Sequence, residues 1–190
     1  MISGQSKSTI NRINLQKGVD MMTKIKKRGF EIVRKDARTA FDILTDEKKN
    51  KFTFETKIKL PTRATSNSAG YDLYIPKDVQ ILPAQKTIIW TDVKAYMQSD
   101  EVLKLYIRSS LAIKQGLMLS NNVGIVDSDY YGNESNDGNI GIVVVNTSGK
   151  AINLKAGDRI AQGIFVKFLT ADEDEVTSEI RKGGVGSSGQ

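Results

Sequence analysis

The feature that most limits how this chain can fold is a procession of short apolar segments, closely spaced and punctuated by turn residues. Phe52, Phe54, Thr56, Ile58 and Leu60 alternate with polar or charged residues until Pro61 ends the run. A period of two puts every second side chain on one face of a strand. Further segments recur at 71–75, 79–82, 87–90, 102–107, 140–145 and 159–168. Strands this short and this frequent point to an all-β sandwich or barrel. One short helix is expected at 110–114, entered from a serine cap.

The flanks read differently. Residues 1–20 are polar and aperiodic, the pattern of a disordered leader, and the folded part is expected to start near residue 23 with a first strand at 30–33. Residues 35–50 scatter Ala37, Ala40, Phe41, Ile43 and Leu44 among charges, which suits a short helix or a long loop. The last twelve residues, 179–190, are glycine-rich and read as a flexible C-terminal arm. The expected division is therefore 1–22 leader, 23–178 β domain, 179–190 arm.

Composition removes several chemistries. The chain has no cysteine and no histidine, so disulfides, thiolate nucleophiles, imidazole bases and the usual zinc sites are excluded. A metal would have to sit among oxygens, which favours Mg²⁺ or Ca²⁺. No run has the length of a membrane span, and the N-terminus lacks the apolar core of a secretory signal. A cytoplasmic enzyme or binding protein fits best. Residues 1–60 carry 15 Lys and Arg against 7 Asp and Glu; residues 61–190 carry 13 against 15. The basic character thus belongs to the leading segment. A weak nucleic-acid arm is one reading of that bias; without interleaved aromatics a solvated tail is the more ordinary one.

Five segments hold the residue types that a phosphate-cleaving site needs. In Gly124-Ile125-Val126-Asp127-Ser128-Asp129-Tyr130-Tyr131-Gly132 a strand runs into an acid that could orient a water, followed by a ring that could lie flat on a sugar. Ser68-Ala69-Gly70-Tyr71-Asp72-Leu73 joins a small-residue turn to a strand bearing one acid. Arg108-Ser109-Ser110 sets a guanidinium and two hydroxyls at the expected helix start, suited to an anion. Gly157-Asp158-Arg159-Ile160-Ala161-Gln162 opens a strand after a turn, and the arm carries Arg181, Gly186, Ser187 and Ser188. Read one at a time, each is equally ordinary turn, cap or linker chemistry.

In this order and at these spacings, the five segments resemble the homotrimeric all-β dUTPases, over about residues 28–189. The stretch Gly116-Leu117-Met118-Leu119-Ser120-Asn121-Asn122-Val123 is similar to that family's base-binding hairpin. The Arg28-Gly29-Phe30 opening and Tyr130-Tyr131-Gly132-Asn133-Glu134 look like the versions from Gram-positive bacteria and their phages. The resemblance implies a distorted jelly roll or β-barrel, trimeric, that hydrolyses dUTP to dUMP and pyrophosphate with Mg²⁺. It implies Asp127 as the base that deprotonates the attacking water and Tyr130 as a wall against the deoxyribose. It further implies Asn121 and backbone near Gly124 on the uracil edge, and Ser109 on the oxygen between the α- and β-phosphates. Arg108, Ser110, Gln162, Arg181, Gly186, Ser187 and Ser188 would hold phosphates. Asp72 would meet the metal only through water. Three chains would share each site.

Two departures stand out. Val185 occupies the place where the family has an aromatic lid, so closure over the base is expected to be weaker. Residues 133–139 and a stretch near 35–51 look like insertions; the former is expected to be an exposed loop and either could serve a protein partner. A nucleotide-sensing regulator and a dCTP deaminase are the competing readings. The deaminase would want a glutamate at the base in place of Asp127.

Overall fold

Alternating side chains build most of what is seen. The computed structural model describes residues 26–39, 44–46, 51–53 and 58–176, with backbone alone at 44–46 and 51–53. In chain order the strands are β1 (Gly29–Ile32), β2 (Leu44–Asp46), β3 (Lys51–Thr53), β4 (Thr62–Arg63), β5 (Tyr71–Tyr74), β6 (Val79–Ile81) and β7 (Lys86–Trp90). They continue with β8 (Val93–Tyr96), β9 (Glu101–Ile107), β10 (Leu117–Leu119), β11 (Gly124–Asp127), β12 (Gly141–Asn146), β13 (Ile152–Leu154) and β14 (Arg159–Lys167). One helix, α1 (Ser109–Gln115), lies between β9 and β10. The all-β expectation with a single short helix holds.

All pairings are antiparallel. The main sheet has the order β11-β9-β14-β5-β4, and a second has β10-β12-β7; β1-β8, β13-β6 and β2-β3 form two-stranded ribbons. No continuous ladder closes the described strands into one barrel. β12 shows the logic of the core. Ile142, Val144 and Asn146 turn inward and are buried, while Gly141, Val143 and Val145 alternate outward. Leu73, Ile81, Leu103, Leu117 and Ile160 meet Ile142 and Val144 in the same interior. Burying each such side chain is worth roughly 1.5–3 kcal/mol.

Several local expectations need correction. α1 starts at Ser109, not at residue 110, and its cap position is Arg108, with no side-chain capping bond. The helix instead ends on Gly116 in the left-handed region (φ 68°), where a residue without Cβ is least strained. The stretch 35–50 is neither one helix nor one loop. It contains a 3-10 turn at Lys35–Ala37 and the strand β2, which pairs with β3. The alternation from Phe52 to Leu60 does not make one long strand: β3 ends at Thr53, 54–57 lie outside the described residues, and 58–60 are irregular. The expected leader, the domain start at 23–25 and the arm also lie outside the described residues. β10 and β11 do not form a hairpin ladder; β10 pairs with β12 and β11 with β9. Residues 120–123 therefore bridge two different sheets.

The stretch 133–139 is the largest surprise. Asn133, Asp137 and Asn139 are buried, and only Glu134 and Ser135 are exposed. Asp137 accepts bonds from the Arg34 amide (2.7 Å) and Lys94 Nζ (2.9 Å). Asn139 Oδ1 accepts from the Asp92 amide (3.0 Å), and its Nδ2 donates to the Ala37 carbonyl (3.1 Å). Buried polar groups must be paired, and these are paired with Arg34 and Ala37 after β1 and with Asp92 and Lys94 at β8. A composition of Asn, Asp and Gly says "loop" without saying which way the loop faces.

Candidate active site

β11 delivers the acid and the ring. Val126 points into the core and Asp127, one residue on, points out, opposite Val102 of β9. A 3-10 turn at Ser128–Tyr130 then brings the Tyr130 ring back against the sheet. Asp127 and Tyr130 consequently line one cavity of about 130 Å³, together with Asn121, Gly124 and Val143. Tyr130 is buried, and its hydroxyl donates to the Asn139 carbonyl (2.8 Å). Tyr131 turns the other way. Its hydroxyl donates to Glu31 (2.6 Å), which pushes the phenol up to about 12 and holds the Glu31 carboxyl below its ordinary value.

The remaining described motif residues meet elsewhere. Ser68, Gly70, Asp72, Arg108, Ser109, Ser110 and Gln162 line a second cavity of about 240 Å³. Asp72 and Gln162 are directly opposite on β5 and β14. A bulge between Arg159 and Ala161 changes the phase of β14, so residues three apart share a face. Arg159 Nη1 thereby reaches Asp72 Oδ2 (3.2 Å), while Arg108 Nε takes Oδ1 (3.0 Å). Asp72 is thus a buried carboxylate clamped between two guanidiniums. Gly70 admits Gln162: a Cβ there would lie 2.5 Å from Gln162 Oε1. With Arg108 and Arg159 behind and two exposed serine hydroxyls in front, this cavity has the chemistry of a polyanion cradle.

A larger open depression of about 500 Å³ beside Gly116 and Ser148 has Lys114 and Lys150 on its lining but no acid. It lacks both a base and a recognition edge, and we give it no role in catalysis.

The two motif cavities share no residue and lie on opposite flanks of β9, one along β11 and the other along β14 and β5. Asp127 pairs with Val102 on one side of that strand, and Gln162 pairs with Tyr106 on the other. Four residues along and two strand spacings across separate their backbones by about 16 Å. Arg181, Val185, Gly186, Ser187 and Ser188 lie outside the described residues.

Sequence reading passed over Arg159 as a site residue, because only the bulge turns it toward Asp72. It also passed over Asn136 and Asn139, whose contacts with Tyr130 were hidden in a loop assumed to face solvent. Concerning a metal, no group of three or more acidic side chains converges among the described residues. Both Asp72 oxygens already accept from arginines. That donor set fits an ion carried by phosphates and water, and does not fit an all-protein cage.

Comparison with known proteins places the chain in a family. The dUTPase family profile matches residues 56–189. The deoxyuridine 5'-triphosphate nucleotidohydrolase of Lactococcus lactis is 39% identical over 166 residues, which is 87% of this chain and 99% of that one. The crystal structure of the dUTPase from Streptococcus mutans superposes with a TM-score of 0.61 at 38% identity, over 76% of this chain and 98% of its own. A mutant dUTPase from phage phi11 of S. aureus, described with a structural Mg(II) ion, is 20% identical and shares the fold (TM-score 0.56; 81% of this chain, 99% of that one). By sequence and by architecture, this chain belongs to the dUTPase family.

Proposed function

We infer that this protein hydrolyses dUTP to dUMP and pyrophosphate, and that Asp127 is its catalytic base. The observation that carries this reading is the shared cavity of Asp127 and Tyr130, with Asn121 at its edge. The nucleoside enters with its sugar against Tyr130 and its uracil edge toward Asn121 and the backbone at Gly124. A water held by Asp127 attacks the α-phosphorus. The new P–O bond forms as the bond to the β-phosphate oxygen breaks, Asp127 takes the water's proton, and pyrophosphate leaves. General-base assistance of this kind contributes ~10²–10⁴-fold.

The phosphates need the second cavity, and the distance between the Asp127 and Gln162 backbones across β9 supports its coming from another copy of the chain. Among the described residues, one apolar sheet face is left uncovered and is available for such a copy. Met118, Val143, Ile88 and Trp90 point outward from the β10-β12-β7 sheet, and Val143 also borders the Asp127 cavity. A closed cyclic trimer satisfies every such interface at once. In it Arg108, Ser109, Ser110 and Gln162 of one copy face Asp127 of the next. Arg181, Gly186, Ser187 and Ser188 of the arm complete the phosphate contacts.

Mg²⁺ belongs with this reading. Bound to the triphosphate, it would neutralise charge on the oxygens, and Asp72 would meet it through water. No helix among the described residues is long and apolar enough to cross a membrane. A soluble deoxynucleotide as substrate suits the cytoplasm. A protein partner docking on 133–139 would find Glu134 and Ser135 as its exposed handholds, too small a surface to argue for one. Pyrophosphate release measured across dUTP, UTP, dTTP and dCTP tests the assignment: turnover of dUTP alone is expected. Comparable release from UTP, or ammonia from dCTP, would remove it.

A further inference from the structure

We propose that the 133–139 loop is a positioning device for the sugar-binding wall, with Asn136 as its key residue. The inference rests on the reading of Tyr130 as that wall. Three bonds hold the tyrosine from outside its own turn. Asn136 Nδ2 donates to the Tyr130 hydroxyl (2.7 Å), and that hydroxyl donates to the Asn139 carbonyl (2.8 Å). Asn133 Nδ2 donates to the Tyr130 carbonyl (2.8 Å).

The loop is itself locked around these contacts. Asn136 Oδ1 accepts from Asn133 Nδ2 (2.8 Å) and from the Gly138 amide (3.1 Å). Gly138 adopts φ 79°, and a Cβ there would lie 2.7 Å from the Tyr130 carbonyl, so the loop packs directly on the tyrosine's backbone. On its far side it is tied down through Asp137 to Lys94 and through Asn139 to Asp92. Both hydrogen-bonding capacities of the phenol are therefore used on its far edge. The ring cannot swing about its side-chain torsions without breaking one of them.

Rigidity matters because the task is to exclude one oxygen. A pocket that yields discriminates weakly against a substrate that merely adds a hydroxyl. A wall held by its own supporting bonds keeps the geometry that the discrimination needs. Asn136 thus acts through Tyr130, as a positioning residue for the choice of deoxyribose over ribose.

The test is steady-state kinetics of the full-length protein with dUTP and UTP. Asn136→Ala is expected to narrow the ratio of kcat/KM for dUTP over UTP by about 2- to 12-fold, the range of one neutral hydrogen bond. Tyr130→Phe, which leaves the loop residues intact, should narrow it similarly. The double variant should fall short of the sum of the two effects, because both singles remove the Asn136–Tyr130 link. Should Asn136→Ala unfold, as thermal melting would reveal, Tyr130→Phe decides by itself. An unchanged ratio in Tyr130→Phe, or in a folded Asn136→Ala, overturns the inference if Tyr130→Ala still collapses the preference; the sugar-wall reading then stands. An unchanged ratio in Tyr130→Ala overturns both.

Discussion

Arg159 and Asp72 are 87 residues apart in the chain and 3.2 Å apart across the β5–β14 ladder, guanidinium Nη1 to carboxylate Oδ2. The other oxygen of that carboxylate is taken by Arg108. Removing it in Asp72→Ala leaves two neighbouring guanidiniums without their shared anion. Truncating one partner of a fully buried pair costs about 3–5 kcal/mol; with Arg108 and Arg159 partly exposed, about 2 kcal/mol is expected. A urea titration measures it. Because Arg108 then loses its anchor beside the phosphate cradle, KM for dUTP should rise about tenfold. An unaltered KM would show that the clamp does not position Arg108.

Two glycines should respond differently to alanine. At Gly70 the obstructing atom is the end of the Gln162 side chain, which can rotate away. Stability should change by less than about 1 kcal/mol while KM rises several-fold, as the displaced amide leaves the phosphate cavity. At Gly138 the obstruction is the Tyr130 backbone and φ is 79°. Nothing there can yield cheaply, so a loss of about 2 kcal/mol or more is expected. Thermal melting and KM measured side by side separate the two cases.

Subunit mixing probes the shared site. Asp127→Asn should cut turnover ~10²–10⁴-fold while dUTP still binds, and Arg108→Ala should fail for want of a phosphate contact. If the two groups act from different copies, co-refolding the variants in equal amounts regenerates intact sites. Random assortment makes about a quarter of the interfaces competent, giving about a quarter of wild-type activity. A mixture no more active than its parts would place the whole site within one chain.

The Glu31–Tyr131 bond gives a pH signature. Hydrogen bonding to Glu31 lifts Tyr131 from 10.0 to about 12, so its contribution is complete below pH 10.0 and fades as pH rises through about 12. Glu31 is lowered from 4.5 by Tyr131 first and Lys26 second, so its contribution is complete above pH 4.5 and fades as pH falls further. The melting temperature of wild type minus that of Tyr131→Phe should be flat from about pH 5 to pH 10 and shrink on both sides. A difference that does not vary with pH would mean the bond is absent in solution.

Much of the architecture was legible in the chain because strand periodicity is local. The segments at Tyr71, Val79, Thr87, Val102 and Arg159 could be read from their neighbours alone, and β5, β6, β7, β9 and β14 lie where they were expected. β4, β8 and β13 were not anticipated. Thr62–Arg63 is too short for any alternation to register, and Val93–Tyr96 and Ile152–Leu154 offer little more. The stretch 133–139 was misjudged because polar residues can satisfy their bonds in water or in protein equally well.

By itself the sequence determined the class of fold, the family and the chemical identity of each candidate group, since these depend on which side chains are present and in what order. Only the tertiary structure decided that Asp127 and Gln162 flank β9 on opposite sides, that a bulge turns Arg159 toward Asp72, and that Asn136 reaches Tyr130. The reason is physical. Sheet register and the facing of a loop arise from contacts between residues far apart in the chain, and no local pattern of side chains encodes the distance between them.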